Sequence, residues 1–366
     1  MNNAELHALL TLQHVPNLGD VMIKRLLARF ETAQEVLKQK KRDLMEIEGI
    51  GEIRIKEFYN DEHKIEAEKE LNFIRENNIE CAAFTDGHYP NHLKKCVDAP
   101  VLLFSRGKID LKDRKVISIV GTRKVTSHGV HFTNKLIEDL APLDPVIISG
   151  FAYGVDIAAH TAAVAHGLQT VGVVAHGLNQ IYPKTHKKYL KDVEANGGIM
   201  TDFWSSDKFD RKNFLQRNRI IAGISEATIV IESAAKGGSL VTADFANSYN
   251  RDVFAVPGRP NDQLSLGCNN LIKATKANLL TSAADLVYIL GWDVDKPAKS
   301  VQKLLFVELD DDERKIYNYL KENEKDQLDF IARGCGLPIF KVASVLLNME
   351  LKGVIRPLPG RMFELV

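Results

Sequence analysis

The densest set of functional side chains lies at 211–223, Arg-Lys-Asn-Phe-Leu-Gln-Arg-Asn-Arg-Ile-Ile-Ala-Gly. Its first nine residues gather four cations (Arg211, Lys212, Arg217, Arg219), two asparagines (Asn213, Asn218) and one aromatic ring, Phe214. That mixture suits a polyanion carrying flat rings. Guanidinium and ammonium groups neutralise phosphates, and a base stacked on Phe214 is worth about 1–3 kcal/mol. A basic helix start can also be a mere solvated face, but the apolar Ile220-Ile221-Ala222 that follows anchors this helix in a core.

Three glycine turns could hold phosphate nearby. In Val120-Gly121-Thr122-Arg123 a glycine admits close backbone approach and Arg123 supplies a planar cation. The stretch 149–156, Ser-Gly-Phe-Ala-Tyr-Gly-Val-Asp, sets Gly150 and Gly154 four apart at a helix start. It resembles a dinucleotide turn but lacks the GxGxxG spacing, so no nicotinamide-type cofactor is expected. Asp156 and His160 share a helical face, for which a structural hydrogen bond is favoured over acid–base catalysis. The third turn, at 236–243, offers Lys236, Gly238 and Ser239 as a second phosphate nest. No residue is assigned a catalytic role, and no cofactor is expected. The four cysteines, Cys81, Cys96, Cys268 and Cys335, lack metal-ligand spacing and read as indifferent thiols.

The elements that position these turns follow from the apolar pattern. Short β-branched runs at 116–120, 146–148, 170–174, 227–231 and 252–256 alternate with helical stretches such as 130–140 and 157–166. Near-continuous apolar strands with helical crossovers imply an α/β domain with a parallel sheet covered on both faces. Ligands of such sheets sit at the carboxyl ends of the strands, where the strand order switches. The glycine turns fall there.

Residues 1–80 read as a helical domain in which Val15-Pro16-Asn17-Leu18-Gly19 and Ile47-Glu48-Gly49-Ile50-Gly51 look like paired helix-hairpin-helix motifs. Their turns either offer N–H groups to phosphate or simply reverse the chain. The sheet domain covers 81–292, and 293–303 reads as a linker. Residues 304–366 run helix, helix, helix and β-hairpin around Pro359-Gly360, the order of a winged helix. Its third helix is poor in the Arg, Lys, Asn and Gln that read a major groove, so protein contact is favoured over DNA reading.

Composition sets limits. The 366 residues carry 48 Lys+Arg against 48 Asp+Glu, with 45% hydrophobic residues, which excludes disorder and a uniformly basic nucleic-acid coat. A local basic cleft remains compatible with zero net charge. The N-terminus lacks a secretion-signal pattern and no stretch approaches the ~20 apolar residues of a membrane span, so the reading is a cytoplasmic protein without a membrane partner.

Taken together, the motifs VGTR (120–123), SGFAYGVDIAAH (149–160), HGLNQIYP (176–183), RNRIIAGIS (217–225), KGGSLVTADFA (236–246) and VPGRP (256–260) resemble DNA-processing protein A, the DprA/Smf family. Tyr89-Pro90 with Leu93, and the stretch 267–272, fit the same pattern. The resemblance covers about residues 85–285 and implies an extended Rossmann-like core, with an N-terminal helical (helix-hairpin-helix or SAM-like) domain and a C-terminal winged helix. It further implies a homodimer that binds single-stranded DNA without sequence preference. Such a protein helps load the RecA recombinase in natural transformation, displacing or bypassing single-strand-binding protein. Carried over by motif, the DNA pocket comprises Arg123, Gly150, Gly154, Arg211, Lys212, Phe214, Arg217, Asn218, Arg219, Lys236, Gly238 and Ser239. Thr201-Asp202 stands where the family commonly has Ser-Glu, and Gly237 where a serine is frequent. Two other readings fit the sequence less well. A phosphoribohydrolase-like enzyme is disfavoured because 236–243 lacks the glutamate of the PGGxGTxxE loop. A transcriptional regulator is disfavoured by the cation-poor third helix.

Overall fold

The computed structural model describes residues 1–292, 309–352, 354–358 and 362–365. The expected linker 293–303 and the hairpin tip at Pro359-Gly360 lie outside the described residues. The chain divides into two compact units, Met1–Asp293 and Val294–Val366.

The first unit is built on a nine-stranded sheet: β1 (Glu80–Ala83), β2 (Leu102–Gly107), β3 (Val116–Val120), β4 (Val146–Ser149), β5 (Thr170–Val173), β6 (Gly197–Thr201), β7 (Ala227–Val230), β8 (Asp252–Ala255) and β9 (Asn278–Leu279). The spatial order is β1-β2-β6-β5-β4-β3-β7-β8-β9. From β6 to β9 all neighbours are parallel, while β1–β2 and β2–β6 are antiparallel. Strand alternation explains why both faces are covered: Val116 and Val120 of β3 enter one apolar cluster, and Ile117 and Ile119 enter the other. The β-branched runs gave the five central strands. The antiparallel pair and the Gly-Gly start of β6 carry no such signal and were not anticipated.

Chain order runs outward from β3 to β6 on one side, then from β7 to β9 on the other, so the crossover direction reverses between β3 and β7. Their carboxyl ends therefore open a crevice. Four helices begin near it: Ser127–Leu140, Val155–Ala165, Arg211–Ile224 and Gly238–Ser248. Thr126 caps the first by accepting the Gly129 N–H at 3.1 Å, and Asp210 caps the third by accepting the Lys212 N–H at 2.8 Å.

The N-terminal helices do not form a separate body. Leu9, Leu12, Leu26 and Leu71 share one apolar cluster with Phe104, Ile199 and Trp204 of the sheet region. Asp20 also accepts the Val101 N–H at 2.9 Å, and Lys24 donates to the Val97 and Ala99 carbonyls. The boundary drawn at residue 80 is thus internal to one unit. Gly19 and Gly51 occupy equivalent N-cap positions, of Asp20–Phe30 and Glu52–Ile55. Asn17 takes φ 62° in the first turn, which asparagine tolerates better than most residues. The second helix is only four residues long.

In the second unit, helices Asp311–Asn323, Leu328–Cys335 and Ile339–Leu351 pack with strands Lys325–Gln327, Ile355–Leu358 and Met362–Leu365. The three strands pair in a winged-helix arrangement that adds a short first strand to the expected hairpin. Lys341, the cation on the third helix, is ion-paired to Asp312 at 2.5 Å. Among the described residues no single helix is long and apolar enough to cross a membrane.

Candidate nucleic-acid interface

A pocket of about 250 Å³ sits in the crevice at the ends of β3 and β7. One wall is the turn Gly121-Thr122-Arg123, the second is the helix face bearing Phe214, Arg217, Asn218 and Ile221, and the third is Gly237, Gly238 and Ser239 at a helix start. Positions 214, 217, 218 and 221 share one face because the helix repeats every 3.6 residues. The unpaired N–H groups at the start of Gly238–Ser248 give the third wall positive potential. Ser239 is held in place by its hydroxyl, which donates to Ser233 Oγ at 3.0 Å.

Arg123 is exposed and lies over the Phe214 ring, its guanidinium carbon 5.2 Å from the centroid. The pair presents a cation and an aromatic face together at the pocket mouth. Arg217 is different in kind. It is buried, and it donates to the Gly150 carbonyl at 2.7 Å and to the Val173 carbonyl. Burial lowers it to about 10, so it remains a cation at neutral pH and charges the pocket floor from beneath. Asp156 faces it across Gly150 and accepts the Ala152 N–H at 3.3 Å; burial pushes this carboxyl up, opposed by Arg217.

The glycines expected to admit a ligand instead make room for the protein's own atoms. A Cβ on Gly154, at φ +79°, would lie 2.2 Å from the Thr122 carbonyl oxygen, and one on Gly121 would lie 2.4 Å from Val155 Cγ2. A Cβ on Gly150 would lie 2.5 Å from Asp156 Oδ2 and 2.7 Å from the Arg217 guanidinium. Gly150 and Gly154 are not among the lining residues; Gly154 interlocks the second turn with the first, and Gly150 makes room for Asp156 and Arg217. His160 and Asp156 do not bond to each other. The Thr170 hydroxyl donates to the Ile147 carbonyl at 2.9 Å, so His160 Nδ1 donates to Thr170 Oγ1 at 2.7 Å, leaving Nε2 bare. Burial lowers this imidazole to about 3.

Arg219 also departs from the expectation. Two residues past Arg217 it points to the opposite side of the helix. There it pairs with Asp202 at 2.5 Å, lies 3.6 Å from Asp20, and donates to the Asp98 carbonyl. It joins the N-terminal helices to the sheet and does not line the pocket. Asp202, raised to about 6 by burial, is its partner. Arg211, Lys212 and Lys236 are exposed around the pocket without lining it. The structure thus brings together Arg123, Phe214, Arg217, Asn218, Gly238 and Ser239, and separates Arg219 from them. Sequence reasoning overlooked Tyr182 and Phe209, whose rings pack against Phe214. Tyr182 lies inside the HGLNQIYP stretch but was not read as an aromatic contact.

A family model described as DNA recombination-mediator protein A matches residues 80–291, and one described as the DprA winged helix domain matches 306–361. The chain belongs to the DNA recombination-mediator protein A family. Protein Smf of Synechocystis is 33% identical over 295 residues, 80% of this chain and 74% of that one. The crystal structure of DNA processing protein A from Streptococcus pneumoniae superposes with TM-score 0.65 at 31% identity, covering 79% of this chain and 98% of that one. DNA processing protein A of Helicobacter pylori, whose structure concerns its single-stranded DNA binding mode, gives TM-score 0.52 at 27% identity over 58% and 95%. The crevice described above lies within the segment matched by the first family model.

Proposed function

We propose that this chain binds single-stranded DNA without sequence preference in the crevice between β3 and β7. In this reading it acts in the cytoplasm as a non-catalytic homodimeric mediator that helps load RecA on strands otherwise held by single-strand-binding protein. The observation that carries the reading is the Arg123–Phe214 pair beside a helix start and above a buried arginine. Cations and N–H groups meet phosphate, and a ring meets a base of any identity. The pocket carboxylate, Asp156, is committed to the Ala152 N–H and to facing Arg217, which leaves it poorly placed as a general base. The Helicobacter pylori relative supports the choice of ligand, and the family supports the recombinase and transformation roles.

The test is binding of labelled single and double strands over a salt series, with sedimentation of the complex. A single-strand preference, a log–log salt dependence and two chains per complex are expected. Equal affinity for duplex, or turnover of the strand, would overturn the reading.

A further inference from the structure

Beside the pocket three aromatic rings from three places in the chain touch one another. Tyr182 lies on the loop after β5, Phe209 precedes the helix Arg211–Ile224, and Phe214 is in its first turns. Ring centroids are 4.8 Å apart for Tyr182–Phe209, 5.7 Å for Tyr182–Phe214 and 5.5 Å for Phe209–Phe214. Tyr182 is 40% exposed and Phe209 44% exposed, so this cluster is not a core. Water-facing contiguous aromatic surface is uncommon on a monomer and marks contact with something else.

The rings are fixed rather than free. The Tyr182 N–H donates to His176 Nε2 at 3.2 Å, and the backbone on either side of Phe209 is tied by Asn213 Nδ2 to the Lys208 carbonyl and by the Asp210 cap. Arg123 lies over one face of Phe214, and both neighbouring rings meet Phe214 edge to face. Phe214 lines the pocket, and the exposed ring surface beyond it is that of Tyr182 and Phe209. Lys208, Arg211 and Lys212 flank Phe209 in sequence, and none makes an ion pair among the described residues. Flat apolar faces among uncommitted cations complement a strand of stackable bases on a phosphate backbone.

We propose that Tyr182 and Phe209 form a second base-stacking station, outside the pocket, for the same strand whose phosphate the pocket holds. The proposal rests on the single-strand reading. The strand then leaves the pocket across the aromatic cluster toward Lys208, Arg211 and Lys212, whose charges follow its backbone.

The test titrates the intact protein with labelled oligothymidylate of about 20 nucleotides, and with an abasic deoxyribose-phosphate oligomer of equal length. Tyr182→Ala and Phe209→Ala each weaken oligothymidylate binding by about fivefold or more, and leave abasic binding within about twofold of wild type. Phe209→Trp keeps its affinity, and its added emission is quenched by oligothymidylate but not by the abasic oligomer. That quenching distinguishes stacking from a ring that merely props Phe214. Unchanged affinity in both alanine variants, or indifferent Phe209→Trp emission, overturns the second station alone. Wild-type protein that ignores oligothymidylate overturns the single-strand reading as well.

Discussion

Replacing Phe214 by leucine separates stacking from charge. Leucine keeps an apolar side chain between Arg123 and the Tyr182–Phe209 pair but offers no ring face. The lost Arg123 contact, about 0.5–1 kcal/mol for an exposed cation over a ring, is lost in free and bound protein alike and so largely cancels from the affinity. What remains is one stacked base, about 1–3 kcal/mol, which weakens binding by about 5- to 150-fold. Phosphate contacts are untouched, so the slope of log affinity against log salt stays that of wild type. Arg123→Ala behaves oppositely: losing one phosphate contact reduces that slope by about 0.7. Fluorescence anisotropy of a labelled oligothymidylate over a salt series reads both quantities. Phe214→Leu lines that change slope, or that overlie wild type, would refute the division of labour between ring and cation.

Other expectations concern the residues that support the pocket. Arg219→Ala leaves Asp202 buried without its partner and lowers stability by about 3 kcal/mol in urea melts; single-strand affinity of the folded variant stays within about twofold, and a selective loss of binding would show that Arg219 does touch DNA. His160, held at about 3 in the fold, gains its proton on unfolding at any pH from about 6 down to 3, so the unfolded chain binds more protons and stability is lost as the pH falls through that window. The contribution approaches about 1.4 kcal/mol per pH unit in that window, and His160→Gln removes about one proton from the slope of unfolding free energy against pH; identical slopes would refute its neutrality. Gly154→Ala forces a Cβ to 2.2 Å from the Thr122 carbonyl at φ +79° and costs about 2 kcal/mol or more by the same melts, whereas a tolerated alanine would contradict the interlocked turns.

Much of this arrangement was legible in the sequence. The β-branched runs reveal the central parallel strands because both of their faces are buried, and the glycine turns mark the carboxyl ends where the crevice opens. Three kinds of feature escaped. Strands β1, β2, β6 and β9 lack a distinctive run, since Gly197-Gly198 opens β6 and β9 has two residues. The role of a glycine, whether it clears space for a ligand or for its own backbone, depends on neighbours distant in the chain, as with Thr122 over Gly154. Arg219 was carried over with Arg217 by motif, although two residues on a helix turn the side chain by about 200°. That difference in direction was readable from the helical period alone. The Tyr182–Phe209–Phe214 contact was not, because it joins the loop after β5 to a helix 32 residues further on.

Under the proposed function, phosphate sits at the start of the helix Gly238–Ser248, between Arg123 and Arg217. A Cβ on Gly238 meets nothing within 4 Å, so Gly238→Asp folds without strain, and an acidic residue in a first helical turn is itself favourable. Its carboxylate would occupy the space meant for phosphate, where like charges cost several kcal/mol. Affinity for oligothymidylate should fall by about 100-fold or more with an unchanged thermal midpoint, while Gly238→Ala binds within a few-fold of wild type. A folded Gly238→Asp protein that binds oligothymidylate as wild type does would contradict the assignment of the crevice.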